Sequence, residues 1–367
     1  VDEPRPDDDA FVESSPSGLV AGQILDGRYR LVRPLGEGGM GLVWEAEQLA
    51  LRRKVAVKSL RYAGADLHDR LRREALALAS VHHPAVVQVY DYGETREGVP
   101  YVVMELVSGE SLAARLARLG AMPAEEAVAL SIPLLDGLAA AHQAGIIHRD
   151  IKPSNVLLAQ SPSGAQPKLL DFGIALVERA GAPRLTREGG LLGTPTYMAP
   201  EQIRGQKTDE RSDVWGVATL IYELIAGEPP FPSDDLVTVL RQVVDQPPPY
   251  PRSARGMNGR LWSILMGALR KSPSERTPSV LALRDALAAW LESRGAPLPA
   301  SAISGPSRSR EGHAATLPAA LLPSAQAAPA ALPGGPPAPP LPAAPPRAGE
   351  GAAPSLDELI KKKLGES

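Results

Sequence analysis

The run His148-Arg149-Asp150-Ile151-Lys152-Pro153-Ser154-Asn155, with Asp171-Phe172-Gly173 downstream of it, decides how this chain is read. Asp150 offers a carboxylate able to accept a proton from a hydroxyl, and Asn155 and Asp171 offer the oxygen ligands that hard divalent cations prefer. Taken alone, the stretch is also compatible with a polar loop followed by a chance Asp-Phe-Gly turn, because short motifs arise by accident. The flanking sequence separates the two readings.

Upstream, Tyr29 to Leu35 and Gly41 to Ala46 are patterned as strands, and the turn between them is Gly36-Glu37-Gly38-Gly39-Met40-Gly41. With Val43 this is G-x-G-x-x-G-x-V, in which missing side chains let backbone N–H groups approach a phosphate. Dinucleotide sites share the glycine spacing, but there the loop runs from strand into helix, and here it runs from strand into strand. Val55-Ala56-Val57-Lys58 alternates with period two, so Ala56 and Lys58 share a face. Ala56 is small enough to admit a flat base, and Lys58 is long enough to reach phosphates. Leu67, Leu71, Glu74 and Leu78 follow at helical intervals, which puts Glu74 on an apolar face where a carboxylate needs a partner. Lys58 is the natural one. Pro100 to Glu105 reads as a buried strand leading into a connection.

In this order and with these gaps, the motifs resemble the protein kinases, and the resemblance runs from Arg28 to about Glu292. It implies an α+β, two-lobed fold: a β-rich small lobe with one key helix (27–106), a helical large lobe (107–293), and ATP between them. It implies that Asp150 orients the attacking hydroxyl, that Lys152 reaches the transferred phosphoryl group, and that Lys58, bridged to Glu74, grips the α and β phosphates. Asn155 and Asp171 would hold Mg²⁺, with Mn²⁺ as a substitute. Met104 would guard the back of the nucleotide pocket, the backbone of Glu105 and Val107 would meet adenine, and Leu157 would line the pocket floor. Gly193 to Glu201 resembles the substrate-facing loop ending in A-P-E, with Glu201 paired to Arg276 and Asp213 opening the central helix. One departure is Ala218, where the family usually has glycine. Lys152 and Thr194 resemble the serine/threonine branch, and Arg211-Ser212-Asp213-Val214-Trp215 the eukaryotic-type kinases of bacteria. Arg149 resembles the kinases whose activation loop is ordered by phosphorylation; Thr186, then Thr194 and Thr196, are the candidates, with Glu188 as a permanent charge. A pseudokinase scaffold would require loss of a key group, and Lys58, Glu74, Asp150, Asn155 and Asp171 are all present. A small-molecule phosphotransferase would leave the A-P-E platform without a use.

Composition bounds the rest. The 367 residues are 44% hydrophobic and 22% charged with a net charge of −3, which gives no basic footprint for nucleic acid. There is no cysteine, so disulfides, zinc-thiolate sites and thiol switches are excluded. No apolar run approaches the roughly 20 residues that span a bilayer, and a cytoplasmic, soluble protein is expected. Residues 1–26 are acidic with Ser and Pro and read as a disordered leader. Residues 294–354 are dominated by Ala, Pro, Ser and Gly and read as an extended linker. In residues 355–367, Ser355-Leu356-Asp357-Glu358 forms a capping box, and Leu356, Leu359, Ile360 and Leu364 share a helical face. This segment reads either as a short docking helix or as a solvated tail. The oligomeric state has no signature in the sequence.

Overall fold

The computed structural model describes residues 19–38, 41–60, 65–161, 164–172, 195–251 and 254–296. The small lobe is an antiparallel sheet of β1 (Ile24–Leu25), β2 (Tyr29–Gly38), β3 (Gly41–Gln48), β4 (Arg53–Leu60), β5 (Val89–Glu94) and β6 (Pro100–Glu105), in the order β1-β2-β3-β4-β6-β5. One helix, α1 (Ala65–Ala79), joins β4 to β5. The register pairs Trp44 with Val57 and Val57 with Val103, and Ala46 with Val55. Strand alternation therefore gathers Trp44, Ala46, Val55, Val57, Tyr101 and Val103 on one face, where all are buried. The opposite face carries Val43, Ala56, Lys58, Val102 and Met104, paired in register as Val43 with Lys58, Lys58 with Val102, and Ala56 with Met104. This second face looks toward the large lobe.

The folded body starts earlier than the leader boundary at residue 26 expected from composition. Leu19 and Leu25 are 2% and 3% exposed in the small-lobe core, and Ile24 and Leu25 pair with Arg30 and Tyr29. Two apolar side chains sufficed to anchor a segment whose overall composition is polar. Residues 1–18 and 297–367, including the proposed linker and tail helix, lie outside the described residues, as do Gly39, Met40, Gly173, Thr186 and Thr194.

The large lobe opens with a small sheet of β7 (Gly109–Ser111), β8 (Val156–Ser161) and β9 (Gly164–Leu169) and the helices α2 (Leu112–Leu119) and α3 (Ala124–Gln143). It continues through α4 (Pro200–Ile203), α5 (Arg211–Ala226), α6 (Leu236–Asp245), α7 (Gly259–Ala268) and α8 (Val280–Ser293). Helix α5 is buried nearly all round, as its almost uninterrupted apolar sequence requires. It ends at Gly227, whose φ of 83° is the left-handed cap that other residues adopt at a cost. Gly216 lets α5 approach the loop before β8: a Cβ there would lie 3.0 Å from Cβ of Ile151. Ala218, the departure noted in the sequence, is fully buried and its methyl is absorbed into the core. The lobes are tied by Val86, which bridges Leu169, by Val87 N–H on Leu169 O (3.0 Å), and by an ion pair from Lys168 to Glu105 (2.8 Å).

Candidate active site

The loop between α3 and β8 brings His148 to Asn155 to the junction of the lobes. Asp213, at the start of α5 with a fully buried side chain, sets its shape: Oδ2 accepts from His148 N–H and Oδ1 from Arg149 N–H, both at 2.8 Å. These two bonds hold Arg149 in the left-handed region at φ 64°, a conformation that costs a non-glycine residue on the order of 1–3 kcal/mol. Gln202 adds a third tie, donating to Arg149 O at 3.0 Å. The ring of His148 is buried; Nδ1 accepts from Asp150 N–H (3.3 Å) and Nε2–H donates to Leu170 O (2.8 Å), which fixes the tautomer. Phe172 packs on the same ring at 4.6 Å between centroids. One histidine thus links the Asp150 loop to the Asp171 turn.

Beyond this frame the reactive groups converge. Lys152 Nζ lies 2.8 Å from Oδ2 of Asp150, and Asn155 Nδ2 donates to the same oxygen at 3.0 Å and to Asp150 O at 2.8 Å. Two donors therefore hold the Asp150 carboxylate in one orientation. With its amide nitrogen so committed, Asn155 has Oδ1 to offer a cation. Asp171 sits at φ 48°, a second strained residue in the site, and its carboxylate is 2.6 Å from Lys58 Nζ. Burial works to raise the Asp171 pKa, but the Lys58 ammonium overrides it and holds the group below the usual carboxylate range. An ionised carboxylate and an amide oxygen are hard donors of the kind that Mg²⁺ takes while keeping waters and phosphate oxygens, so the residues present fit such an ion.

The partner expected for Lys58 is not the one it has. The sequence pairs Lys58 with Glu74, whereas the structure pairs it with Asp171, and no cation among the described residues lies within 4 Å of the Glu74 carboxylate. Burial pushes Glu74 up to about 7, opposed by the charge of Arg149. The position of α1 against the sheet, which period and spacing do not encode, leaves Lys58 with Asp171. The face carrying Ala56 and Met104 forms the roof of the cleft, with Met104 9% exposed. At the connection, Glu105 N–H donates to Gln88 O at 2.8 Å, so of its two backbone groups only the carbonyl remains for a base. The Glu105 side chain turns away to Lys168. Leu157 lies on β8, part-exposed, and Val107 follows the connection.

In the segment 195–201, Thr196 sits in a short turn, and Tyr197 donates its hydroxyl to Glu223 at 2.5 Å. Burial and that carboxylate together raise the tyrosine pKa. Glu201 and Arg276, 2% and 0% exposed, form a two-pronged ion pair at 2.7 and 2.8 Å. Burial would raise the Glu201 pKa, but Arg276 keeps it below the ordinary range. The sequence reading did not foresee the clamp made by Asp213 on the loop, the His148 link, or the Lys168 brace on Glu105. Each joins residues more than twenty positions apart, and no local pattern in the sequence signals them.

The family model described as "Protein kinase domain" matches residues 29–285. The serine/threonine-protein kinase pkn2 of Myxococcus xanthus is 45% identical over 273 residues, covering 72% of this chain and 33% of the relative. PknB of Mycobacterium tuberculosis is 40% identical over 271 residues (71% and 42%), and PknL of the same species 35% identical over 313 residues (84% and 76%). The chain thus spans about a third to a half of the first relatives it matches.

Proposed function

The chain belongs to the protein kinase family, and we propose that it transfers the γ-phosphoryl group of ATP to serine and threonine hydroxyls of proteins. The observation that carries this reading is the Asp150 carboxylate oriented by Lys152 and Asn155 beside the Lys58–Asp171 pair. ATP with Mg²⁺, or Mn²⁺ in its place, supplies the phosphoryl group and neutralises its charge. Asp150 accepts the proton of the incoming hydroxyl, and Lys152 is close enough to follow the charge as it moves. Lys58 grips phosphate oxygens, Asn155 and Asp171 hold the metal, and the turn 36–41 with Val43 covers the phosphates. Ala56, Met104, Leu157, the carbonyl of Glu105 and the N–H of Val107 enclose the adenine. Glu74 completes the site by moving onto Lys58 when the nucleotide claims Asp171.

Several finer assignments belong to the same reading. Arg149 has a buried Nε with no hydrogen-bond partner among the described residues, which supports a role in meeting a phosphate on Thr186, Thr194 or Thr196. No helix among the described residues is long and apolar enough to cross a membrane, and we place the kinase body in the cytoplasm, where ATP is. Residues 355–367 dock a protein partner through Leu356, Leu359, Ile360 and Leu364 and raise the local concentration of substrate. The test of the central reading is a radiolabelled-ATP assay with a generic protein acceptor set against small aminoglycoside-type acceptors. Label in protein, strongly reduced with Asp150→Asn, is the expected result. Label only in the small acceptors, or in none, refutes it.

A further inference from the structure

His142 lies outside the reacting groups, in the last turn of α3, with its side chain 6% exposed. Its Nε2 is 2.7 Å from Oδ2 of Asp213, the oxygen that also accepts His148 N–H. With Arg149 N–H on Oδ1 and His148 N–H on Oδ2, the Asp213 carboxylate accepts at both oxygens, and Nε2 of His142 carries a hydrogen toward it. No lysine or arginine among the described residues lies within 4 Å of this fully buried carboxylate, so no fixed cation balances it.

The other ring nitrogen, Nδ1, is buried and has no hydrogen-bond partner among the described residues. It faces Oε2 of Glu210 at 3.6 Å, just beyond hydrogen-bond distance. Glu210 directly precedes α5 and its side chain is 48% exposed, so a small rotation closes the gap. With Nδ1 bare, a lone pair confronts a carboxylate; with Nδ1 protonated, an imidazolium lies between two carboxylates and donates to both. Of the neighbouring charges, Arg211 is hydrogen-bonded to Asp209 and to Pro273 O and also attracts Glu210 through space, the His148 ring is committed to Leu170 O, and the Arg149 guanidinium acts on Glu74.

We infer that Glu210 is a positioning residue that holds a proton on His142, and that the Glu210–imidazolium–Asp213 chain sets how firmly the catalytic loop is anchored. The proton is taken from solvent onto Nδ1 and returned to it, and no other bond forms or breaks. The imidazolium balances Asp213, the carboxylate that fixes the strained backbone at Arg149 one residue ahead of Asp150. Loss of the proton loosens that clamp, so the effect falls on turnover and spares nucleotide affinity.

The inference rests on the kinase reading only for its activity arm. Glu210→Gln keeps the size of a half-exposed side chain and removes its charge, so the fold is retained. Compared with wild type, it should lower kcat by about two- to fivefold at intermediate pH, the scale that a half-exposed charge pair supports, with KM for ATP unchanged. The ratio should approach one at both ends of the profile, since both proteins keep the proton in acid and both lose it in alkali. In a His142→Asn background, Glu210→Gln should have no effect at any pH. Independently of activity, NMR titration of the six histidines, with His142 assigned by loss of its signal in His142→Asn, should show His142 losing its proton at lower pH in Glu210→Gln. Coincident titration curves, or a kcat ratio that is flat with pH, overturn the inference. Wild type without transfer to any protein acceptor would refute the functional reading instead, and the NMR comparison would still decide the proton chain.

Discussion

Replacing Arg276 with methionine strands a buried charge, and the structure sets the size of the effect. The guanidinium makes two bonds to Glu201 at 2.7 and 2.8 Å and three to backbone carbonyls, Arg211 O at 2.7 Å, Arg270 O at 3.0 Å and Lys271 O at 3.3 Å. Glu201 keeps the Ser212 hydroxyl at 2.7 Å and its own backbone N–H. Methionine preserves bulk and removes all five bonds, leaving a 2% exposed carboxylate without its counter-charge. Breaking one side of such a pair costs about 3–5 kcal/mol. At roughly 2–4 °C per kcal/mol for a domain of this size, the melting temperature should fall by on the order of 10 °C. The double variant Glu201→Gln/Arg276→Met, which buries no charge, should recover a substantial part of the loss. The pH dependence gives a second readout. In wild type the Glu201 pKa is depressed, so its contribution is present above the ordinary carboxylate range and is lost as pH falls through the folded value. In Arg276→Met, burial raises the same group, and acid relieves the penalty by protonating it. The gap between the two proteins, followed by thermal denaturation from pH 7 to pH 4, should therefore narrow. A shift of less than about 3 °C at pH 7, or a gap independent of pH, would refute the reasoning.

Three further outcomes follow from the site. Asp150→Asn should leave ATP affinity nearly intact and lower kcat by a factor of about 10² or more, whereas Asp171→Ala should abolish metal-dependent nucleotide binding; steady-state kinetics and calorimetric titration check both, and unchanged turnover in Asp150→Asn contradicts the first. Glu74 has a folded pKa of about 7 against an ordinary value of 4.5, so ionisation opposes folding and wild type should lose stability as pH rises between those values. Glu74→Gln should flatten that decline, by at most about 3 kcal/mol, and parallel pH–denaturation slopes would count against the burial of Glu74. Gly216→Ala places a methyl 3.0 Å from Ile151 and should cost about 1–3 kcal/mol through overpacking, with kcat reduced because Ile151 adjoins Asp150; a melting curve and kcat both equal to wild type would show that the loop yields freely.

Much of the fold was legible because it depends on local regularities. Alternation in Val55-Ala56-Val57-Lys58 assigned faces that the register with Met104 and Val102 reproduces, and the apolar run from Val214 reads as the central helix that α5 is. Where burial rests on a few side chains in a polar context, composition misled, and Leu19 and Leu25 joined a core from inside the apparent leader. The sequence by itself determined which chemical groups are available and in what order: the carboxylates of Asp150 and Asp171, the amide of Asn155, the amines of Lys58 and Lys152, and a glycine-rich turn. It did not determine every pairing, although Glu201 meets Arg276 as expected. Lys58 could meet Glu74 or Asp171 and met Asp171; Asp213, expected only to open a helix, fastens the backbone of His148 and Arg149 from 65 and 64 residues away. Motif spacing records the local geometry of the chain, whereas the choice among equally charged partners depends on how whole elements pack, and only the tertiary structure decides that.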